Sequence, residues 1–416
     1  MTTASVTGRP RHGARALLDG AILALAVVSI PLSLTSPGGT VAMGLIALVG
    51  LGLLLRGAEV TPSMRRAFGL AALAYCIVVL ADVLNGEPLR GLASTGVNYL
   101  PLLVFTPVAV ALRQARFSLG HMRLAFEAGV VCALILAVHT VVTWSQSWMV
   151  FFVKGPNLNQ IPFGLIVGAL GCFLLSAGLK DGGRRGRMDV VLSVAAFVIV
   201  ILSASKLVWV CAALGYLIVF ALHVPRMRRR TLFLVAGGVA ALFLIALALP
   251  PVRFELLAFQ RSLFGVLSGL SASAVNDVTI TPRLEVWQAG WSAFMERPWF
   301  GWGIADRMEV VRARAPADAE LIWQVNHLHS DYLTHLVAYG VAGAVALAVI
   351  FVLALRIAGP HPDPVLHHFL YAMLPAVALY MAFEIVFNMD ALTGFMALLF
   401  GMVLSLRTRS ERSIEH

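Results

Sequence analysis

Residues 333–355, LTHLVAYGVAGAVALAVIFVLAL, contain no aspartate, glutamate, lysine or arginine. A membrane-spanning helix needs about 20 predominantly apolar residues, so this stretch is long enough to cross a bilayer. Similar apolar runs recur along the whole chain. Of the 416 residues, 59% are hydrophobic and 12% are charged, whereas soluble domains are about 25% charged. The sequence therefore predicts an all-α polytopic membrane protein.

About twelve transmembrane helices are predicted, with one large loop between the ninth and the tenth. The predicted spans are 17–34, 39–55, 67–84, 96–112, 124–144, 160–178, 189–204, 207–224, 231–249, 333–355, 367–387 and 391–406. Residues 250–332 are too long to be a simple connection. The predicted organisation is thus 1–249 with helices 1–9, the loop 250–332, and 333–416 with helices 10–12 and a cytoplasmic tail. All four cysteines fall in apolar segments, so no disulfide is predicted.

The distribution of lysine and arginine predicts the orientation. If the N-terminus is cytoplasmic, 21 of the 31 basic residues fall on the cytoplasmic side, and seven of the other ten lie in the large loop, where the positive-inside bias has little force. The net charge of +10 is explained by this bias, and no nucleic-acid partner is expected. Arg90, Lys154 and Lys206 are the short-loop exceptions. They either contact lipid headgroups or form an anion site shared with the loop.

A helix is predicted within the loop, with Thr281 as its N-cap and Pro282 at its first position. Five residues then recur at helical spacing and would suit the membrane–water interface: Leu284, Trp287, Trp291, Phe294 and Met295. Pro298 is expected to end the helix. Arg283 lies in the first turn, where free N–H groups and the helix dipole already favour an anion. Its guanidinium would bind a phosphate bidentately, or alternatively reach lipid headgroups.

The sequence Asn326-His327-Leu328-His329-Ser330-Asp331 lies where the loop re-enters the membrane. Histidine, with an ordinary pKa of about 6.5, is a natural general base near neutral pH. Ser330 or Asp331 is predicted to cap the next helix and to fix the histidine beside it. The His-x-His-x-Asp spacing is also compatible with zinc, so a metal site remains an alternative.

Lys206 follows Ser203-Ala204-Ser205 at the outer end of the seventh predicted span. A cation at this depth costs energy unless it is paired, and Glu384 or Asp390 is its candidate partner. Asn157 lies in a polar turn with Lys154 on the same side. The chain has no P-loop and no dinucleotide fingerprint, so no nucleotide cofactor is expected.

The loop and its exit resemble the O-antigen ligase family. The resemblance rests on Arg283-x-x-x-Trp287, on Pro298-x-Phe300-Gly301-x-Gly303, and on His329-Ser330 followed after nine residues by Gly340-Val341-Ala342-Gly343. The layout of twelve spans with one large loop agrees over nearly the whole chain. The family usually has arginine after serine at the position of Lys206, so the bidentate contact is lost here while the charge is kept.

The resemblance implies a GT-C-like glycosyltransferase in the bacterial inner membrane, with its loop and active site facing the periplasm. It would transfer O-antigen from undecaprenyl diphosphate to a sugar hydroxyl of lipid A–core, with inversion and without metal or cofactor. His329 would be the base, supported by Ser330, His327 and Asn157. The diphosphate ligands implied are Arg283, Lys206, Arg90 and Lys154. Alternatives are an O-antigen polymerase and a protein O-oligosaccharyltransferase. A flippase or transporter should show paired repeats, which the sequence lacks.

Overall fold

The computed structural model describes residues 11–226 and 281–414, apart from 36, 144–153, 157, 316–320, 360, 362 and 388, and a few isolated positions between 227 and 280. Within these ranges the chain is helical and has no β-strand. The α-helices are α1 (Arg11–Ser33), α2 (Gly38–Leu55), α3 (Pro62–Leu84), α4 (Leu89–Tyr99), α5 (Pro101–Gln114), α6 (Leu119–Thr143), α7 (Gln160–Asp181), α8 (Gly183–Leu202), α9 (Lys206–His223), α10 (Thr281–Glu296), α11 (Arg307–Arg312), α12 (Asp331–Ala358), α13 (Pro364–Phe383) and α14 (Asp390–Ile414).

The predicted all-α polytopic class is confirmed, because ten helical segments of the described chain are long and apolar enough to cross a membrane. Each coincides with one of the predicted spans, and α4 and α5 together form one of them, Leu89–Gln114. Helix α8 coincides with the predicted span 189–204, but its first turns carry Arg184, Arg185 and Arg187, so its apolar part is short. The predicted span 231–249 lies outside the described residues. The total of twelve therefore stays a prediction.

Helix α7 lies at the centre of the bundle, and 94% of its span is buried. Small residues allow its neighbours to approach closely, as is usual between helices in a membrane. A Cβ at Gly171 would stand 1.8 Å from the hydroxyl oxygen of Tyr216 on α9. The carbonyl of Gly171 also accepts a 2.9 Å hydrogen bond from Ser193 of α8. These contacts pack α8 and α9 against the central helix.

Helix α12 is broken at Gly340, where φ is 62° and ψ is −148°. The turn formed by residues 297–303 fills the break with backbone hydrogen bonds: Trp302 N to Val337 O (2.9 Å), Gly303 N to Ala338 O (2.9 Å) and Val341 N to Pro298 O (2.7 Å). A Cβ at Gly340 would lie 2.5 Å from the Pro298 carbonyl oxygen, so only glycine fits. The glycine motif that begins at Gly301 and the one that begins at Gly340 therefore pack against each other.

The described part of the loop has a small core of its own. Apolar residues of α10, of α11 and of the segment before α12 pack on the first half of α12, and their most buried members are Val286, Ala289, Ala293, Val311, Ile322, Leu328 and Val337. Helix α10 begins at Thr281 and ends just before Pro298, close to the prediction. Thr281 is its first residue and not its cap, a displacement within the usual uncertainty of helix ends.

The predicted interfacial stripe of α10 is only partly exposed. Trp291 and Met295 are exposed, but Phe294 is buried. Trp287 packs against Phe383 at the end of α13 and donates a 2.8 Å hydrogen bond to the carbonyl of Leu328. Helical spacing correctly predicts that these residues share one side of α10. It does not predict how many of them are buried, because that depends on what packs against the helix.

Candidate functional site

His329 and Glu384 meet where α12 begins and α13 ends, which we refer to as the loop end of the bundle. His329 Nδ1 is 3.2 Å from Glu384 Oε2. The His329 side chain is 18% exposed and that of Glu384 only 1%. Sequence reasoning considered Glu384 as a partner of Lys206 and missed this contact. The pair has the geometry of an imidazole oriented by a buried carboxylate.

The carboxylate of Glu384 is surrounded by groups that favour its ionised form. Burial raises its pKa, but the hydrogen bond and charge of His329, together with His327 and Arg283, outweigh burial and lower the pKa below its ordinary value. Arg283 approaches Glu384 Oε2 to 3.8 Å, and the Ile385 N–H donates to Oε1 at 3.2 Å. Because an ionised carboxylate only accepts hydrogen bonds, His329 donates from Nδ1, which leaves Nε2 to accept a proton.

His327 is the second histidine of the site and is held in its neutral form. The backbone N–H of His329 donates to His327 Nδ1 at 3.2 Å, so the proton of the neutral ring is on Nε2. Burial, followed by the charge of His329, lowers the pKa of His327 to about 4, although Glu384 opposes the shift. The centroids of the two imidazole rings are 3.9 Å apart. His327 is therefore a neutral N–H donor beside the base.

The backbone holds His329 in an unusual conformation. Its φ is 48°, a left-handed value that is uncommon outside glycine and is often found at functional sites. On its C-terminal side, Ser330 caps α12, as predicted, by accepting a 3.3 Å hydrogen bond from the Leu333 N–H. The buried carboxylate of Asp331 accepts a 2.6 Å hydrogen bond from the Val386 N–H. This bond ties the start of α12 to the turn that carries Glu384.

The predicted cations differ in their position relative to this pair. Arg283 lies in the first turn of α10 and contacts Glu384. Lys206 is half-buried and is the first residue of α9, just after the seventh predicted span. Helix α9 packs on α13, and His223 at its end contacts His368 near the start of α13. The two helices are therefore antiparallel, which puts Lys206 at the same end as Glu384. Arg90 and Lys154 are exposed.

Asn157 lies outside the described residues. Its neighbour Asn159 caps α7 by accepting a 3.1 Å hydrogen bond from the Ile161 N–H. Asp390, the other candidate partner of Lys206, is exposed at the start of α14. Its backbone carbonyl accepts a 3.0 Å hydrogen bond from the Thr40 hydroxyl.

Three residues at the site could hold a metal ion. One ligand atom from each of His327, His329 and Glu384 lies within 4.8 Å of the others, and two histidines with a glutamate are a known zinc ligand set. Asp331, the third residue of the sequence-based metal alternative, instead binds the backbone of Val386. Arg283 already places a positive charge beside the same carboxylate. The cluster is therefore suited to either an arginine-assisted or a metal-assisted site.

Residues at the end of α3 anchor the loop beside this site. Asn85 Nδ2 donates a 2.5 Å hydrogen bond to the Phe300 carbonyl, and the Ala305 N–H donates a 2.6 Å bond to Glu87 Oε1. The nearby Arg307 is half-buried, and burial lowers its pKa. Sequence reasoning did not select these residues, because a polar residue after a span is also typical of an ordinary turn.

The fold and the site together define a multi-pass membrane protein with a histidine–carboxylate pair and an arginine at the loop end of its helix bundle. Residues 191–348 match a family model described as O-Antigen ligase. The predicted resemblance is thereby confirmed, and the matched segment contains Lys206, Arg283 and His329. Glu384 lies beyond it. A comparison with curated proteins finds no match. The match supports the O-antigen ligase and polymerase superfamily, whose members transfer glycosyl groups.

Proposed function

We propose that the protein is an O-antigen ligase of the bacterial inner membrane. It transfers O-antigen glycan from undecaprenyl diphosphate to a sugar hydroxyl of lipid A–core, with inversion and without a metal ion. Loop 250–332 and the site face the periplasm in this proposal. The observation that carries it is the His329–Glu384 pair, with Nδ1 and Oε2 3.2 Å apart, beside Arg283. His329 and Arg283 lie in the segment that matches this family.

In the proposed reaction, His329 Nε2 accepts the proton of the acceptor hydroxyl. The hydroxyl oxygen forms a bond to the anomeric carbon while the bond from that carbon to the diphosphate oxygen breaks. The bonding electrons leave with undecaprenyl diphosphate. A single displacement of this kind inverts the anomeric centre. Glu384 stabilises the imidazolium that forms, as the buried carboxylate does in serine-protease triads.

Positive charge is required where the leaving diphosphate gains charge. Arg283 offers a guanidinium at a helix start, where backbone N–H groups also favour an anion. Lys206 offers a second cation from the start of α9. Arg90 and Lys154, which are both exposed, are proposed as weaker contributors. Since arginine and lysine neutralise the diphosphate, the reaction needs no divalent ion.

The chain length of glycan left on the lipid carrier in a deletion strain tests ligase against polymerase. A ligase deletion leaves lipid A–core without O-antigen, while polymerised glycan accumulates on undecaprenyl diphosphate. Accumulation of single repeat units would instead identify a polymerase. A strain complemented with the wild-type gene is the control, and it should restore the wild-type pattern.

Transfer by the purified protein in detergent tests the chemistry directly. We expect transfer to lipid A–core to persist in chelator and to be lost in His329→Ala at an unchanged level of folded protein. Loss of transfer in chelator, restored by zinc, would favour the metal-assisted site. A flippase would form no glycosylated product in detergent, because it only moves its substrate between leaflets.

A further inference from the structure

Helices α13 and α14 are joined by a short turn at the loop end but make little contact with each other. Helix α13 packs on α9, α7 and α12, whereas α14 packs on α5 and α2. Consecutive antiparallel helices joined by a short turn usually pack together. Here they lie apart, and an open cleft separates the α12–α13 pair from the α5–α14 pair.

The cleft is lined almost entirely by apolar side chains. Of the 22 described residues that line it, only Asn98 and Thr393 are polar. The lining contains methionines, including Met373 and Met381, and aromatic rings such as Phe351. Methionine is flexible and polarisable and packs well against aromatic rings. Such a lining adapts to a hydrocarbon chain and offers no specific contact to a sugar or a phosphate.

One end of the cleft adjoins the candidate site. Val386 and Phe387 line it and follow Glu384 within three residues. The Val386 N–H is also the donor that binds Asp331. From Met381 to Leu370 the lining extends along α13 for 11 residues, or about 16 Å at 1.5 Å per residue. That is about half of the roughly 30 Å hydrocarbon core of a bilayer.

A cationic site joined to a long uncharged cleft fits an amphiphile with an anionic head and an apolar tail. Arg283 lies at the head end, and none of the described residues that line the cleft is charged. We propose that this cleft binds the isoprenoid chain of the lipid-linked glycan donor, which extends the proposed function by locating the donor's tail. The isoprenoid carries methyl branches along its length, which the methionine and phenylalanine lining can accommodate. Acyl chains of the acceptor or of bulk phospholipid are the competing occupants.

Filling the cleft tests the proposal in the full-length protein. Ala354 lines the cleft on α12, and its neighbour Leu355 is 56% exposed on the outside of the same helix. We expect Ala354→Trp to raise the KM for a long-chain donor about tenfold, equivalent to excluding about two methylene groups. Leu355→Trp should leave the KM unchanged. With a donor that carries a geranyl tail, the two variants should behave alike. An equal KM for Ala354→Trp and wild type with the long-chain donor would overturn the proposal.

Photocrosslinking does not depend on activity or on the folding of a variant. Wild-type protein in nanodiscs is irradiated with a diazirine-bearing polyprenyl diphosphate that lacks glycan, and labelled residues are mapped by mass spectrometry. The proposal is supported if cleft residues on α12, α13 and α14 are labelled and if unlabelled polyprenyl diphosphate prevents this labelling. Labels elsewhere, or equal labelling by a diazirine phospholipid, refute it. If the cleft is labelled but no glycan is transferred to lipid A–core, the proposed function fails while the isoprenoid site stands.

Discussion

Glu384→Gln is the sharpest test of the site, because sequence reasoning did not assign this residue to the base. Glutamine keeps the size of the side chain but removes the negative charge. Its amide can also present N–H to His329 Nδ1, which favours the tautomer that carries its proton on Nε2. That tautomer cannot accept the proton of the acceptor hydroxyl. We therefore expect kcat to fall while the KM for the donor changes little.

The size of the effect follows from the geometry. The imidazolium formed during transfer lies 3.2 Å from the carboxylate. At an effective dielectric constant of about 20, this attraction is about 5 kcal/mol. Each 1.36 kcal/mol is a factor of ten in rate, so about 10⁴-fold is an upper bound. Because the amide dipole retains part of the attraction, we expect a decrease in kcat of about 10²- to 10³-fold, within the range of general base catalysis.

The assay is single-turnover transfer from the lipid-linked donor to lipid A–core in detergent. Glu296→Gln is the matched control: Glu296 pairs with Arg314 on the exposed side of the loop, and its variant should keep full activity. Thermal unfolding checks that Glu384→Gln is folded. A folded Glu384→Gln with wild-type kcat would show that the carboxylate does not orient the base.

Three further predictions concern the residues around the pair. Gly340→Ala should destabilise the protein by about 2 kcal/mol or more, because alanine strains this backbone conformation and its Cβ clashes with Pro298. The control Gly44→Ala should leave the stability unchanged, because its Cβ meets no atom within 4 Å. His327→Asn should flatten the pH dependence of stability. Because the pKa of His327 is about 4 in the folded protein and 6.5 in the unfolded chain, the wild type loses up to about 3 kcal/mol of its free energy of unfolding as the pH falls from 6.5 to 4. Denaturant unfolding measures this loss, and an equal loss in the variant would contradict the prediction. Arg283→Gln should lower kcat at least 10²-fold, and Arg283→Lys less; equal transfer rates for the two variants would argue against a charge role.

Much of this architecture could be predicted from local patterns in the sequence. Apolar runs predicted the spans, because a helix in lipid must satisfy its own backbone hydrogen bonds within one continuous segment. Turn residues predicted where helices begin: α10 begins at Thr281 and Ser330 caps α12. These features depend on residues close together in the chain, so pattern and composition are sufficient to find them.

Other features were decided only by tertiary packing. Glu384 is 55 residues from His329 in sequence, and nothing near either residue indicates that they meet. Their contact depends on the packing of α12 on α13 and on the Asp331–Val386 hydrogen bond, which joins the start of α12 to the turn after α13. The cleft forms because α13 and α14 pack against different helices although a short turn connects them. The sequence by itself determined which segments are helices and which side chains have the right chemistry. The tertiary structure decided which of those side chains meet, because those contacts depend on how distant helices pack.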